Sequence, residues 1–406
     1  MSIFYDANLI YKAGDASIKS SNFKHSTQLF EMNHLLETAK LRRSLIQGTY
    51  YPTESHKFPI SERGHIRYIA SSSMVDKTIG HLLCDELLTP IIKPYLIYDN
   101  SASQKNKGVS FHRKRFETHM HQFYNRYHSN DGYILLMDFS GYYANIPHDT
   151  CSNVLYNFIE KECSDETTIT ISKYLIKSIL HQNEVDVSRF SDDDVSRMYV
   201  DKVDPMLNYK VDKKLLTGDK TLKKGVDIGA QLSQIIGIVY PYYIDNYISI
   251  VKGCKWYGRY TDDSYVISKN KDDLVDLLDS LLELAPKYGL IINKKKTRIC
   301  RLSSNFRYLQ VMYSLTDTGQ IIRKINPKAI TRERRRLKSY HRLLINNKIE
   351  YSVIENSFKS WLGTYWKLMS HEQIYNISNL YYTLFGRKPS WKKKHGRLLW
   401  LMESPC

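Results

Sequence analysis

The stretch RYTDDSYVIS (259–268) sets β-prone residues on both sides of an acidic pair, the pattern of a hairpin that presents two carboxylates, Asp262 and Asp263, at its turn. An Asp-Asp pair by itself is more often a solvated turn or a helix cap, and other acidic clusters occur at Asp192, Asp193, Asp194 and at Asp272, Asp273. The segment YILLMDFSGYYANIPHD (133–149) gives the hairpin its context. Five largely apolar residues run into Asp138, and an aromatic-rich stretch closes at Pro147, which reads as a buried strand delivering a carboxylate at its end. Such a carboxylate is costly unless it is paired or holds a cation, so a purely structural role for Asp138 is a poor explanation.

Together these residues resemble the palm of the reverse transcriptases, with Asp138 in place of motif A and YTDD in place of motif C. The resemblance continues in order along the chain. GVDIGAQLSQIIGIVY (225–240) is similar to motif B, YGLIINKKKTRI (288–299) to motif D, and SNFRYLQVMYSL (304–315) to motif E, while residues 63–108 resemble the fingers. It covers roughly residues 55–370 and implies an α+β right hand. Fingers and palm would span 55–320, with an antiparallel palm sheet flanked by helices and an insertion at about 160–224. A helical extension would precede them at 1–54, and a basic helical thumb and tail would follow at 321–406.

The implied reaction is RNA-directed DNA synthesis by nucleotidyl transfer, in which two Mg²⁺ ions activate the primer 3′-oxygen and stabilise the leaving pyrophosphate, with Mn²⁺ as a substitute. The resemblance assigns Asp138 and Asp262 as metal ligands, Asp263 as the supporting carboxylate and the Phe139 backbone carbonyl as a further ligand. Tyr260 would position the primer end. Tyr143, five residues after Asp138, stands where the family carries an aromatic gate against a 2′-hydroxyl, which implies dNTP substrates; the plainer reading makes Tyr142 and Tyr143 core aromatics. Arg67 and Arg63 would clamp the triphosphate, and Ile228, Gly229 and Gln234 would line the nucleotide. Lys296 would protonate pyrophosphate, with Lys294 and Lys295 as rivals and a phosphate-binding patch as the default.

Motif B departs from the common pattern. Where many reverse transcriptases carry Gln-Gly and end in Ser-Pro, this chain has Ile228-Gly229 and Ser233-Gln234, which is similar to the reverse transcriptases of diversity-generating retroelements. Ile228 cannot offer the hydrogen bonds of a Gln, so relaxed base selection follows as an expectation. Antiphage-defence reverse transcriptases are the rival, making DNA from a non-coding RNA or by priming from one of the 32 tyrosines. A catalytically idle RNA-binding module is disfavoured by the intact Asp138, Asp262 and Asp263. Expected partners are an RNA template, a DNA or RNA primer and dNTPs, with an accessory protein or dedicated non-coding RNA besides.

Charge fits a polyanionic partner. The net charge is +17, and the last 86 residues hold 18 Lys and Arg against 5 acids, which accounts for +13 of it. Arg334, Arg335, Arg336 and the run Lys392, Lys393, Lys394 are candidate phosphate contacts, each run being equally well a solubility face. Helices are expected at 331–347 and 351–370, the second from the spacing of Val353, Ile354, Phe358, Trp361, Leu362 and Tyr365, with Trp361 and Trp366 in the core. In the insertion, 171–182 reads as helix, and near the N-terminus Leu29, Met32, Leu36 and Ala39 suggest one helix face. Six cysteines without a Cys-x-x-Cys pair suggest neither zinc nor disulfides. No apolar run approaches the ~20 residues of a membrane span, and the first residues lack a secretory core, so a cytoplasmic protein without membrane partners is expected. About 90 residues follow motif E, room for a thumb but not for an RNase H or integrase.

Overall fold

The computed structural model describes residues 2–19, 21–62, 65–201, 203–204, 207–208 and 210–391. Arg63 and Lys392, Lys393 and Lys394 lie outside them. The chain forms two compact units, one of residues 1–116 and 134–299 and the other of residues 117–133 and 300–406.

The first unit begins with three helices, α1 (Ala7–Lys19), α2 (His25–Met32) and α3 (His34–Ile46). Leu29, Met32, Leu36 and Ala39, expected on one helix face, instead fall on two helices that meet at Asn33, Leu29 and Met32 on α2 and Leu36 and Ala39 on α3, and all four are exposed, Met32 at 81% and Leu36 at 53%. The inner face carries Thr27, Phe30, His34, Thr38, Leu41 and Leu45. Polar residues win the interior because α1 passes close. His34 stacks on Tyr11 at 4.0 Å and lies so near Gly14 that a methyl group there would overlap the imidazole.

Strands β1 (His56–Glu62) and β2 (His65–Ser71) form an antiparallel hairpin, followed by α4 (Met74–His81), whose N-cap Ser73 accepts from the Asp76 N–H. A π-helical stretch, Leu82–Leu88, leads to α5 (Thr89–Ile92), and α6 (Val109–Tyr127) spans the boundary of the two units at Phe116. Strand β3 (Tyr133–Met137) buries four residues in a row, as expected of a strand covered on both faces. After the short α7 (Tyr142–Asn145) come α8 (His148–Glu162), α9 (Glu166–His181), β4 (Val185–Asp186), α10 (Asp192–Met198) and β5 (Thr221–Leu222). The 160–224 segment is therefore folded, with α9 over the expected helix and Val187, Val203 and Leu222 as a small core. Then follow α11 (Gln231–Val239), α12 (Tyr242–Asn246), β6 (Trp256–Tyr260), β7 (Asp263–Ser268), α13 (Lys271–Leu284) and β8 (Arg298–Arg301). The central sheet has the order β6-β7-β3-β8, and β6 and β7 pair antiparallel, Tyr260 opposite Asp263.

The second unit holds an antiparallel sheet of β9 (Phe306–Tyr308), β10 (Val311–Leu315) and β11 (Ile321–Ile325), then α14 (Pro327–Ile345), α15 (Tyr351–Tyr365) and α16 (His371–Phe385). Asn326 caps α14 with Pro327 at its first position, and Ser370 with Gln373 forms a capping box on α16. Leu337, Ile354, Phe358, Leu362, Ile374, Ile377 and Tyr381 build one core, with Trp361 and Trp366 packed against it. Val353, expected on the same face, is 49% exposed. Cys84, Cys151, Cys163, Cys254 and Cys300 are free thiols.

Candidate active site

The β6–β7 hairpin closes through a two-residue turn, Thr261-Asp262. Such a tight connection needs a left-handed backbone, and Thr261 supplies it with φ of 57°. A β-branched residue there is strained and persists only where its surroundings hold it. The turn places the half-buried Asp262 at the end of the sheet, beside the end of β3 where Asp138 sits 9% exposed. Burial, reinforced by the Asp138 charge, raises the Asp262 pKa; a backbone N–H, Lys296 and Arg67 act in the opposite direction. Asp138, Arg67 and Lys296 thus all act on the same carboxylate. Asp263 opens β7.

Of the three consecutive lysines, Lys296 is the one that meets Asp138, its Nζ donating to Oδ1 at 3.0 Å and Oδ2 at 2.9 Å. Local folding selects it. The Asn293 N–H donates to the Asp138 carbonyl at 2.8 Å, and the Asn293 side chain accepts from the Lys295 and Lys296 N–H groups, so the lysine turn is pinned beside β3. Phe139 pairs with Ile292 in an antiparallel bridge whose hydrogen bonds come from Asn293 to Asp138 and from Ser140 to Ile291. Phe139 and Ile292 are thus a non-hydrogen-bonded pair, so the Phe139 carbonyl points away from Ile292.

Tyr142 and Tyr143 separate into two roles. Tyr142 is buried, and its hydroxyl donates to the Gly237 carbonyl at 2.8 Å. Tyr143 is half-buried and feels Asp262; burial first and that carboxylate second push its pKa up to about 12. Its ring lies on Gly237 of α11, where a Cβ would come within 2.4 Å of the hydroxyl. Gly237 is therefore needed for the ring to seat, a requirement that the spacing of motif B does not reveal. Gly229 has φ of 113°, and a Cβ there would stand 2.8 Å from the Ala70 carbonyl of β2. Beside it, the Ile228 carbonyl accepts from the Ala70 N–H at 3.0 Å, which joins the motif B loop to the hairpin that carries Arg67. Ile228 is half-buried, Arg67 and Gln234 are exposed, and Ser233 is buried.

Arg259, immediately before YTDD, is fully buried, and Asp245 of α12 is its partner. Burial opposes the guanidinium charge, but Asp245 outweighs it and the pKa rises. Neither residue stands out from motif spacing; the signal is one charge inside an otherwise aromatic strand, WYGRY.

Could this arrangement hold a divalent ion? Among the described residues no three Asp, Glu, His or Cys side chains converge as a ligand cluster. Asp138, Asp262 and the Phe139 carbonyl would offer only oxygen donors, and with water and substrate phosphates they would make a set that suits Mg²⁺. Asp138 already binds the Lys296 ammonium through both oxygens, so it is disposed to take a cation.

Residues 56–313, more than half of the chain, match the family described as reverse transcriptase (RNA-dependent DNA polymerase). The chain belongs to the reverse transcriptase family. It is an RNA-directed DNA polymerase, and its mixed helices and antiparallel sheets are those of an α+β polymerase fold. No curated protein matches this reverse transcriptase. Among solved structures it is similar to telomerase from Candida albicans in complex with a fragment of telomeric RNA, at 12% identity and a TM-score of 0.44, over 91% of this chain and 67% of that one. It is also similar to an apo telomerase from Candida tropicalis truncated from its C-terminal domain, at 16% identity and a TM-score of 0.43, over 66% of this chain and 55% of that one. At these scores neither likeness bears on what this reverse transcriptase does. No helix among the described residues is long and apolar enough to cross a membrane.

Proposed function

We propose that this reverse transcriptase extends a primer with dNTPs at Asp138 and Asp262 and serves in a diversity-generating retroelement. The convergence of Asp138, Lys296 and Arg67 on Asp262 carries the catalytic part of this reading. Asp138, Asp262 and the Phe139 carbonyl would hold Mg²⁺, which when bound activates the primer hydroxyl and neutralises the leaving phosphates. Arg67 would attract the triphosphate from β2. Tyr143, resting on Gly237, would crowd a ribose 2′-hydroxyl. Lys296, beside the acids, would donate a proton to pyrophosphate.

The retroelement role is supported by Ile228. Its main chain is bound to Ala70, and its side chain offers no hydrogen bond at a position where a Gln would. Base selection at this point would rest on shape alone. Sequencing the RNA and DNA that co-purify with the protein, beside an Asp262→Asn, Asp263→Asn control, tests both parts. DNA made only by the active protein, copied from one RNA with mismatches at adenines, is the expected result. Faithful or untemplated DNA that rises on phage infection would assign the enzyme to defence instead. Equal DNA in both samples would remove the catalytic assignment.

A further inference from the structure

All five guanidinium N–H groups of Arg259 have acceptors, and the acceptors come from three elements. Nε donates to Asp245 Oδ1 at 2.8 Å and Nη2 to Asp245 Oδ2 at 2.7 Å, the paired geometry that fixes a guanidinium plane. Nη2 also donates to the Ile238 carbonyl at 2.8 Å, and Nη1 to the Gly237 carbonyl at 3.3 Å. Those carbonyls belong to the last turn of α11, where backbone acceptors lack helical partners and a cation is favoured. The remaining donor of Nη1 reaches the Thr261 carbonyl at 3.0 Å, inside the strained turn and one residue before Asp262.

The surroundings keep this side chain in one position. The Arg259 N–H donates to the Asp99 carbonyl at 3.1 Å, its own carbonyl accepts from Ser101, and Asn100 Nδ2 donates to the same Ile238 carbonyl at 2.8 Å. The Tyr257 hydroxyl donates to Asp245 Oδ1 at 2.5 Å, which holds the carboxylate from the other side. A buried ion pair adds little net stability compared with apolar packing, so what this one contributes is geometric definition. Gly237, whose carbonyl is one of the acceptors in this network, is also the residue on which the Tyr143 ring rests.

We propose that Arg259 is a positioning residue for nucleotide addition: one guanidinium holds the Thr261-Asp262 turn against the end of α11 and so sets where Asp262 stands relative to Tyr143. Asp245 and Tyr257 orient the guanidinium. The assignment rests on the reading of Asp262 as catalytic and Tyr143 as the sugar gate, while the ordering of the turn by Arg259 is independent of both. A lysine at 259 keeps the charge for Asp245 but has three donors on a rotating point charge in place of a planar fork, so it cannot serve Asp245 and both sets of carbonyls.

The test compares wild type with Arg259→Lys and, should that variant fail to fold, with Asp245→Asn, using amide hydrogen exchange and single-nucleotide incorporation kinetics. Losing a charge-assisted hydrogen bond at the turn should speed exchange at Tyr260–Asp263 about tenfold, while amides of the separate Phe358–Tyr381 core stay unchanged. The kcat should fall about a hundredfold, the penalty of a 1 Å misplacement, with KM for dNTP nearly unchanged and discrimination against ribonucleotides reduced. A folded variant with wild-type exchange at the turn and wild-type kcat overturns the proposal. So does exchange raised throughout the protein with sugar discrimination intact, because that is plain destabilisation. If Asp262→Asn still polymerises, the catalytic reading fails, and the exchange data alone decide whether Arg259 orders the turn.

Discussion

Asp262 is a carboxylate that folding makes harder to ionise. Because its folded pKa lies above the ordinary value, the stability tied to this group is fully present below the ordinary carboxylate range and is lost as pH rises through the raised value. Asp262→Asn should therefore melt higher than wild type at pH 7 in metal-free buffer, with the difference closing as pH falls toward 4, while nucleotide incorporation drops at least about a hundredfold. Thermal denaturation across pH together with primer extension checks both signs, and an Asn variant that is less stable at neutral pH would contradict the electrostatic account. Tyr143 allows a second prediction at this scale. Tyr143→Val should admit ribonucleotides, and Gly237→Ala should do so in part, because its new methyl claims the space of the Tyr143 hydroxyl. Competition between dNTP and NTP at one template position measures it; Gly237→Ala with full sugar discrimination would mean that the ring has another seat.

At the scale of elements, the segment from α10 to β5 depends on Lys224. Its Nζ donates to the carbonyls of Met198 at 2.6 Å, Tyr199 at 3.1 Å and Asp201 at 3.1 Å, so a buried ammonium closes the end of α10. Replacing it by Met would leave those carbonyls without this donor, at a cost of about 2 kcal/mol. Burial lowers the Lys224 pKa to about 8, against the opposing Asp201 charge. The unfolded chain then holds more protons than the folded one between pH 8 and the ordinary lysine value, so folding gains stability as pH rises through that window. Lys224→Met should consequently show faster proteolysis around residues 192–204, and its stability deficit against wild type should widen from pH 8 to pH 10. A deficit that shrinks over this range would reverse the sign assigned to the lysine.

For the whole molecule, charge is the governing quantity. The +17 net charge is concentrated toward the C-terminus, and in α14 the residues Arg334 and Arg335 are exposed while Arg336 is tied to the buried Glu333 at 2.7 Å. The three arginines are thus not equivalent: two are available to phosphates and one holds its helix in place. RNA affinity should fall by about a thousandfold between 50 and 200 mM salt, and Arg334→Gln with Arg335→Gln should lower the slope of log K against log salt by roughly 1.5. Fluorescence anisotropy over a salt series provides the measurement. A flat response would count against phosphate contacts by this helix.

Local pattern and chemical type are what the sequence by itself determined. The apolar run into Asp138, the hairpin around Asp262 and the α15 core residues Ile354, Phe358 and Leu362 follow from residue type and period, and neighbouring residues are enough to set these. What only the tertiary structure decided depends on partners distant in the chain. Lys296 is selected from three lysines because Asn293 is bound to Asp138 at the end of β3, and Tyr142 and Tyr143 are told apart by burial, the first sunk with its hydroxyl on the Gly237 carbonyl and the second half-buried with its ring on the same glycine, ninety-odd residues away. The same cause turned Leu29, Met32 and Leu36 outward, since a close approach of α1 at Gly14 placed His34 inside. Arg259 and Asp245 stayed hidden for this reason as well: a buried ion pair is written as two ordinary charges in the sequence, and only folding brings five acceptors around one guanidinium.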